Sequence, residues 1–235
     1  MCAQRRIGLY GGTFDPVHVG HLEVAGRVAQ LFEIEKVIFI PAQMAPHKIG
    51  HPVTEPLHRY AMLALATQSD PNLSISSFEL DDSDRRYTVD TVKHFQRTLG
   101  DETELFFMMG ADSWSEITTW REWERLLAMT NHIVVTRPGF EPTATHVGAI
   151  SERVIDLRTS LECADLSALL PKRCQGTALQ GGARTPRIFF TDVVMKDISA
   201  TRIRRLAREG RTDELTEILP AAVLEYIKKY GIYRN

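Results

Sequence analysis

Short unbroken apolar runs alternate along this chain with longer stretches whose apolar positions recur every three or four residues. The runs predict strands at Arg5–Tyr10, Lys36–Ile40 (KVIFI), 73–78 (LSISSF), 104–109 (ELFFMM), 132–136 (HIVVT) and 187–190 (RIFF). A β-branched run such as KVIFI, with no polar alternation, suits a strand covered on both faces. Leu22, Val24, Ala25, Val28, Ala29 and Leu31 mark an amphipathic helix from about His21 to Phe32. LHRYAMLALA, with Thr54 as its expected N-cap, and TVDTVKHFQRTL (88–99) mark two more, and helical segments continue to Met129. Strands and helices alternating at this spacing predict an α/β fold: a doubly wound parallel sheet with right-handed crossovers.

Residues 140–186 break the pattern. They mix Pro, Gly and Thr with one helical-looking piece, LECADLSALL, and an exposed-looking loop, GTALQGGARTP. With no sharp boundary and no repeat, residues 1–235 read as a single domain, 140–186 as a candidate insertion, and 198–235 as a C-terminal helical segment.

The 235 residues are 43% hydrophobic and 25% charged, ordinary soluble composition with enough apolar material for a substantial core. A net charge of −2 argues against a nucleic-acid coat, so anion binding has to be local. Cys2, Cys163 and Cys174 are odd in number and far apart, which implies neither a disulfide framework nor a metal knuckle. No run resembles a signal peptide or approaches the roughly 20 apolar residues of a membrane span, so a cytoplasmic protein with reduced thiols is expected.

The candidate chemistry lies in GGTFDPVHVGHLEVAG, residues 11–26. In an open parallel sheet, ligands bind beyond the carboxyl ends of the strands, so the segment after the first strand belongs at that edge. Its glycines let the backbone approach a ligand, and the helix start offers N–H groups and a positive dipole end. His18 and His21, three apart, can point to one side and add two donors. That set suits a polyphosphate, above all an oxygen gaining charge as phosphorus is attacked. It is not a Walker A loop, because no Lys-Ser or Lys-Thr follows the glycines. It is not a zinc site either, because the helix supplies no further Cys or His.

ISATRIRR (198–205) repeats the theme. Ser199 is the expected N-cap of a helix with Thr201, Arg202, Arg204 and Arg205 in its first turns. Arginines there oppose the helix dipole, a conflict that an anion held by Arg204 would relieve.

With both segments in view, the sequence resembles the nucleotidyltransferase superfamily, and more narrowly the bacterial nicotinate-mononucleotide adenylyltransferases. The resemblance rests on GGTFDPVHVGHL, PHK (46–48), the helix near Arg59 and Met62, YTVDT (87–91), GADSWSEITTW (110–120), TRPG (136–139), ISATRIR (198–204) and the closing LPAAVLEYIKKYGIY. It implies a Rossmann-like fold and transfer of AMP from ATP to nicotinate mononucleotide, giving deamido-NAD and pyrophosphate. The attacking phosphate is already an anion, so positioning and charge neutralisation carry the reaction.

By the same resemblance, the catalytic residues are His18, His21 and Arg204. ATP is expected on the backbone at Gly12, Thr13 and Phe14, on both histidines, and on Ser199, Thr201 and Arg204. Gly110 and Asp112 are expected at the ribose and Arg137 near the adenine. Lys48 is expected at the acceptor phosphate, Trp120 stacked on the pyridine ring and the Thr88 backbone on its carboxylate. Mg²⁺ is expected to arrive on the ATP phosphates, with no protein ligand named. The partners are then ATP and a pyridine mononucleotide, with neither nucleic acid nor membrane, and homo-oligomerisation is left open.

Alternatives stay open beside these assignments. Trp120 equally suits a core aromatic on a helix TTWREWERLL, Asp112 and Thr88 suit helix caps, and Lys48 suits a solvated loop. His47, His51 and His58 read as loop or surface residues. Ala200 stands where the family pattern has a second Ser. An adenylyltransferase acting on nicotinamide mononucleotide or phosphopantetheine, a cytidylyltransferase, and a non-catalytic nucleotide-binding regulator are the competing functions.

Overall fold

The computed structural model describes residues 4–43, 53–81, 87–136, 147–148, 152–158, 185–192 and 198–234. Seven strands form one sheet: β1 (Arg5–Gly12), β2 (Lys36–Pro41), β3 (Leu73–Ile75), β4 (Thr103–Gly110), β5 (Asn131–Val135), β6 (Val154–Asp156) and β7 (Ile188–Thr191). Their order is β3-β2-β1-β4-β5-β7-β6, and every neighbouring pair is parallel. The order reverses direction between β1 and β4, the topological switch point where this architecture opens a crevice.

The helices are α1 (Val19–Leu31), α2 (Pro56–Thr67), α3 (Thr88–Leu99), α4 (Ala111–Ser115), α5 (Trp123–Met129), α6 (Ala200–Arg208), α7 (Thr212–Ile218) and α8 (Ala221–Tyr230). Period-two alternation in the strands divides the core in two. Phe106 and Met108 of β4 pack on one face with α1, α2, α6, α7 and α8, through residues such as Val28, Met62, Leu206, Leu215 and Val223. Leu105, Phe107 and Met109 pack on the other with α3, α4 and α5, through Val92, Trp114 and Leu126. A strand covered on both sides has no polar face to show, which is why β4 reads as an unbroken apolar run. The expected doubly wound parallel sheet with C-terminal helices is therefore the observed fold.

Several local expectations are corrected. Glu55, not Thr54, occupies the N-cap of α2, with Pro56 as the first helical residue, where its missing N–H costs nothing. Thr54 is held by its main chain: its N–H donates to Asp15 and its carbonyl accepts from Arg59. The strand expected over 73–78 pairs only across Leu73–Ile75. The expected helix TTWREWERLL starts at Trp123, because Glu122 adopts a left-handed φ of 50° after a 3-10 turn over Ile117–Thr119. His58 is no loop residue: it is half-buried on α2 with its Nδ1 2.9 Å from the Tyr226 hydroxyl of α8. Within 140–186, Val154–Asp156 adds β6 at the sheet edge beyond β7. LECADLSALL lies outside the described residues.

Candidate active site at the β1–β4 switch point

β1 runs to Gly12 and β4 to Gly110, so both carboxyl ends open at the switch point. Close packing explains the first glycines. A Cβ on Gly11 would lie 2.7 Å from the Phe107 ring, and one on Gly12 would lie 2.8 Å from the Phe14 ring. Gly110 differs: among the described residues, a Cβ there would meet no atom within 4 Å, which leaves open space between them at the β4 end.

Phe14 has a φ of 48°, a left-handed conformation uncommon for a bulky side chain and sustained only where surroundings over-determine it. The surroundings are two guanidinium groups. Arg59 donates from Nη1 to the Thr13 carbonyl at 2.8 Å, and Arg204 donates from Nη1 to the Asp15 carbonyl at 2.8 Å. The carbonyls on either side of Phe14 are thus pinned by α2 and by α6.

Arg59 is fully buried and spends its remaining donors on the carbonyls of Thr54 and Gln43. Asp15 is also buried. Its Oδ1 accepts from the Tyr233 hydroxyl at 2.6 Å and its Oδ2 from the Thr54 N–H at 3.2 Å. Burial, reinforced by Asp15, pushes the Tyr233 hydroxyl well above the usual tyrosine range, so it stays protonated and donates.

α1 starts directly after this loop, with His18 at its N-cap and His21 at the third helical position. The His18 N–H donates to His21 Nδ1 at 3.3 Å, the side-chain half of a capping box built from imidazole. An accepting Nδ1 leaves the neutral His21 ring protonated at Nε2, so Nε2–H is its donor. The two rings stack with centroids 3.7 Å apart. The first turn of α1 carries no acidic side chain, and neither does that of α6.

α6 faces α1. A Cβ on Gly20 would sit 3.8 Å from Ile198, just before the Ser199 N-cap. Ser199 caps as expected, its Oγ accepting from the Arg202 N–H at 3.2 Å. Arg204 Nη2 donates to Thr201 Oγ1 at 3.2 Å, which fixes the guanidinium beside the loop. Arg202 and Arg205 turn elsewhere, to Glu214 and Glu209. With only nine residues in α6, Arg205 falls in its last turn, where it suits the dipole instead of opposing it.

Trp120 is half-buried and extended, edge-on to Phe107 at 6.5 Å between centroids. The Arg121 guanidinium lies 4.8 Å over the Tyr87 ring, and Tyr87 is the N-cap of α3. The contacts Gly11–Phe107–Trp120 and Arg121–Tyr87 bring Trp120 and the Thr88 helix start to the same side of the β1–β4 crevice. Asp112 is exposed in the first turn of α4, whose N-cap is Gly110, and Thr88 is the first residue of α3 behind its own cap; neither is a cap. Lys48 and Arg137 lie outside the described residues. Sequence reasoning did not find the parts played by Arg59 and Tyr233. An arginine on the apolar face of HRYAM was the available signal for the first, and nothing marked the second.

Residues 9–206 match the family described as cytidylyltransferase-like. A probable nicotinate-nucleotide adenylyltransferase of Thermoanaerobacter sp. (strain X514) is 37% identical over 230 residues, covering 98% of this chain and 95% of the relative. One of Thermus thermophilus is 35% identical, covering 97% and 100%. Among solved structures, the Plasmodium falciparum nicotinic acid mononucleotide adenylyltransferase complexed with NaAD superposes with a TM-score of 0.69 at 19% identity, covering 97% of each chain. That likeness speaks to the fold. The sequence relationship goes further, and on it this chain belongs to the cytidylyltransferase-like family, among the nicotinate-nucleotide adenylyltransferases.

Proposed function

We infer that this enzyme transfers AMP from ATP to nicotinate mononucleotide in NAD biosynthesis. An oxygen of the acceptor 5′-phosphate forms a bond to the α-phosphorus of ATP, the bond to the β-phosphate oxygen breaks, and pyrophosphate leaves with that electron pair. The observation that carries this reading is the facing of two helix starts, α1 and α6, neither holding an acidic residue, across a loop pinned by Arg59 and Arg204. Two such starts with imidazole, hydroxyl and guanidinium donors between them suit a polyanion.

His18 and His21 donate to α-phosphate oxygens as charge grows there, alongside the backbone at Gly12, Thr13 and Phe14. Ser199, Thr201 and Arg204 hold the β and γ phosphates. The space beside Gly110 admits the ribose, with Asp112 accepting from its hydroxyls, and the resemblance assigns the adenine to Arg137. Trp120 stacks on the pyridine ring, the Thr88 N–H reads its carboxylate, and Lys48 meets the acceptor phosphate. Magnesium enters on the triphosphate. The buried carboxylate of Asp15 is already engaged by Tyr233 and Thr54, so the surrounding donors fit a metal-bearing nucleotide better than an ion held by the protein.

Among the described residues no helix is long and apolar enough to cross a membrane. The thiols Cys2, Cys163 and Cys174 suit the cytoplasm. The test is pyrophosphate release from ATP and Mg²⁺ with nicotinate mononucleotide, nicotinamide mononucleotide and phosphopantetheine offered separately. Strong preference for the first is expected. Equal use of both pyridine nucleotides removes the Thr88 assignment, and turnover only with phosphopantetheine overturns the substrate.

A further inference from the structure

We propose that Tyr233 is a positioning residue that holds the Asp15 carboxylate away from Arg204 and so keeps that guanidinium available to the triphosphate. The inference rests on the reading of Arg204 as a phosphate ligand.

Buried Asp15 and half-buried Arg204 are oppositely charged and adjacent, yet they do not form a close ion pair. Arg204 Nη1 takes the main-chain oxygen of Asp15 at 2.8 Å and stands 3.9 Å from its Oδ2. A guanidinium so close to a carboxylate ordinarily closes on it with two short parallel hydrogen bonds. Here the carboxylate is occupied elsewhere, with Oδ1 held by the Tyr233 hydroxyl at 2.6 Å and Oδ2 by the Thr54 N–H at 3.2 Å. Arg59 also lies within electrostatic reach of Asp15, but its Nε, Nη1 and Nη2 each point a hydrogen bond at a main-chain carbonyl.

Without the phenol, the Asp15 Oδ1 loses the Tyr233 hydrogen bond in a buried place where an unsatisfied oxygen is costly, and the Arg204 guanidinium stands 3.9 Å from the other carboxylate oxygen. The carboxylate then competes with the triphosphate for the same guanidinium. The last turns of the chain, 218 residues beyond Asp15, thereby set the charge that the first loop shows to ATP.

The experiment measures KM for each substrate in the full chain carrying Tyr233→Phe, Asp15→Asn, both together, or Arg204→Ala, with folding checked by circular dichroism. Tyr233→Phe is expected to raise KM for ATP about tenfold while KM for nicotinate mononucleotide stays within about twofold. Adding Asp15→Asn to it is expected to bring the ATP value back down, because a neutral amide has little hold on Arg204. A merely structural role predicts the reverse, with the double variant worse than either single one. Unchanged KM for ATP in Tyr233→Phe, or a parallel rise for both substrates, overturns the proposal. Where Tyr233→Phe alone does not fold, the double variant is compared with Asp15→Asn. Equal KM for ATP is expected, since without the carboxylate charge the phenol has nothing to hold back, and a several-fold difference overturns it. Should Arg204→Ala leave KM for ATP unaltered, the phosphate-ligand reading itself fails. A raised value there with a silent Tyr233→Phe sinks only the present inference.

Discussion

The guanidinium of Arg59, fully buried on α2, donates 2.8 Å to the carbonyl of Thr13, 46 residues earlier in the chain. With the carbonyls of Thr54 and Gln43 it holds three main-chain acceptors with one guanidinium. Arg59→Ala strands those acceptors and is expected to cost roughly 2–4 kcal/mol in urea unfolding. Arg59→Lys should recover less than half of that, because one ammonium cannot span a planar fork of donors. A lysine variant as stable as the natural chain would show that the fork is not what the loop requires.

His18 and His21 are expected to separate by stability although both are assigned to the phosphates. Each Ala substitution should lower kcat by about 10²-fold or more if its donor is lost from the transition state. His21→Ala also removes the acceptor of the His18 N–H, a cap worth about 1 kcal/mol. His18→Ala keeps that bond, since the donor is main chain. Single-turnover kinetics beside thermal melts distinguish the two, and unchanged turnover in His18→Ala removes the central assignment.

Gly11→Ala and Gly110→Ala make an opposed pair. At Gly11 the methyl runs into Phe107, whose ring meets Trp120, so a lower melting temperature and a weaker hold on the pyridine nucleotide are expected. At Gly110 the methyl meets nothing among the described residues. Stability there should move by less than about 0.5 kcal/mol, the usual range for a change that touches nothing, while KM for ATP rises. If KM for ATP stays put in Gly110→Ala, the ribose does not approach that glycine.

His132 carries a pH dependence of stability. It is completely buried on β5, its Nε2 lies 3.2 Å from the Leu126 carbonyl, and burial holds its pKa down to about 4 from 6.5. Nε2 is therefore protonated and donating while Nδ1 stays bare. Between pH 6.5 and 4 the unfolded chain binds this proton and the folded one does not, so stability falls as the medium is acidified through that window. The loss approaches about 3 kcal/mol at its lower end. Denaturant titrations at about pH 7, 5.5 and 4.5 read the slope. His132→Leu should flatten it, and a slope unaltered by that change assigns the acid sensitivity elsewhere.

Six of the seven strands, the helices and the two segments at the starts of α1 and α6 were legible from the sequence because each depends on neighbours within a few positions, whereas β6 lies in the stretch where the pattern breaks. KVIFI and ELFFMM are apolar on both sides because both sides are covered, and Ser199 caps α6 through a residue three places on. The pattern misplaces Trp120 onto a helix because nothing nearby announces the left-handed Glu122 that separates it from α5. It sets Arg205 against a helix dipole although Gly210, with a φ of 70°, marks the end of α6 and leaves Arg205 in the last turn. What the tertiary structure alone decided are the contacts between distant segments. Arg59 and Arg204 bracket Phe14 from two helices, and Tyr233 reaches back to Asp15 across almost the whole chain. A buried polar group must find a partner wherever the fold brings one, and local pattern holds no record of where that is.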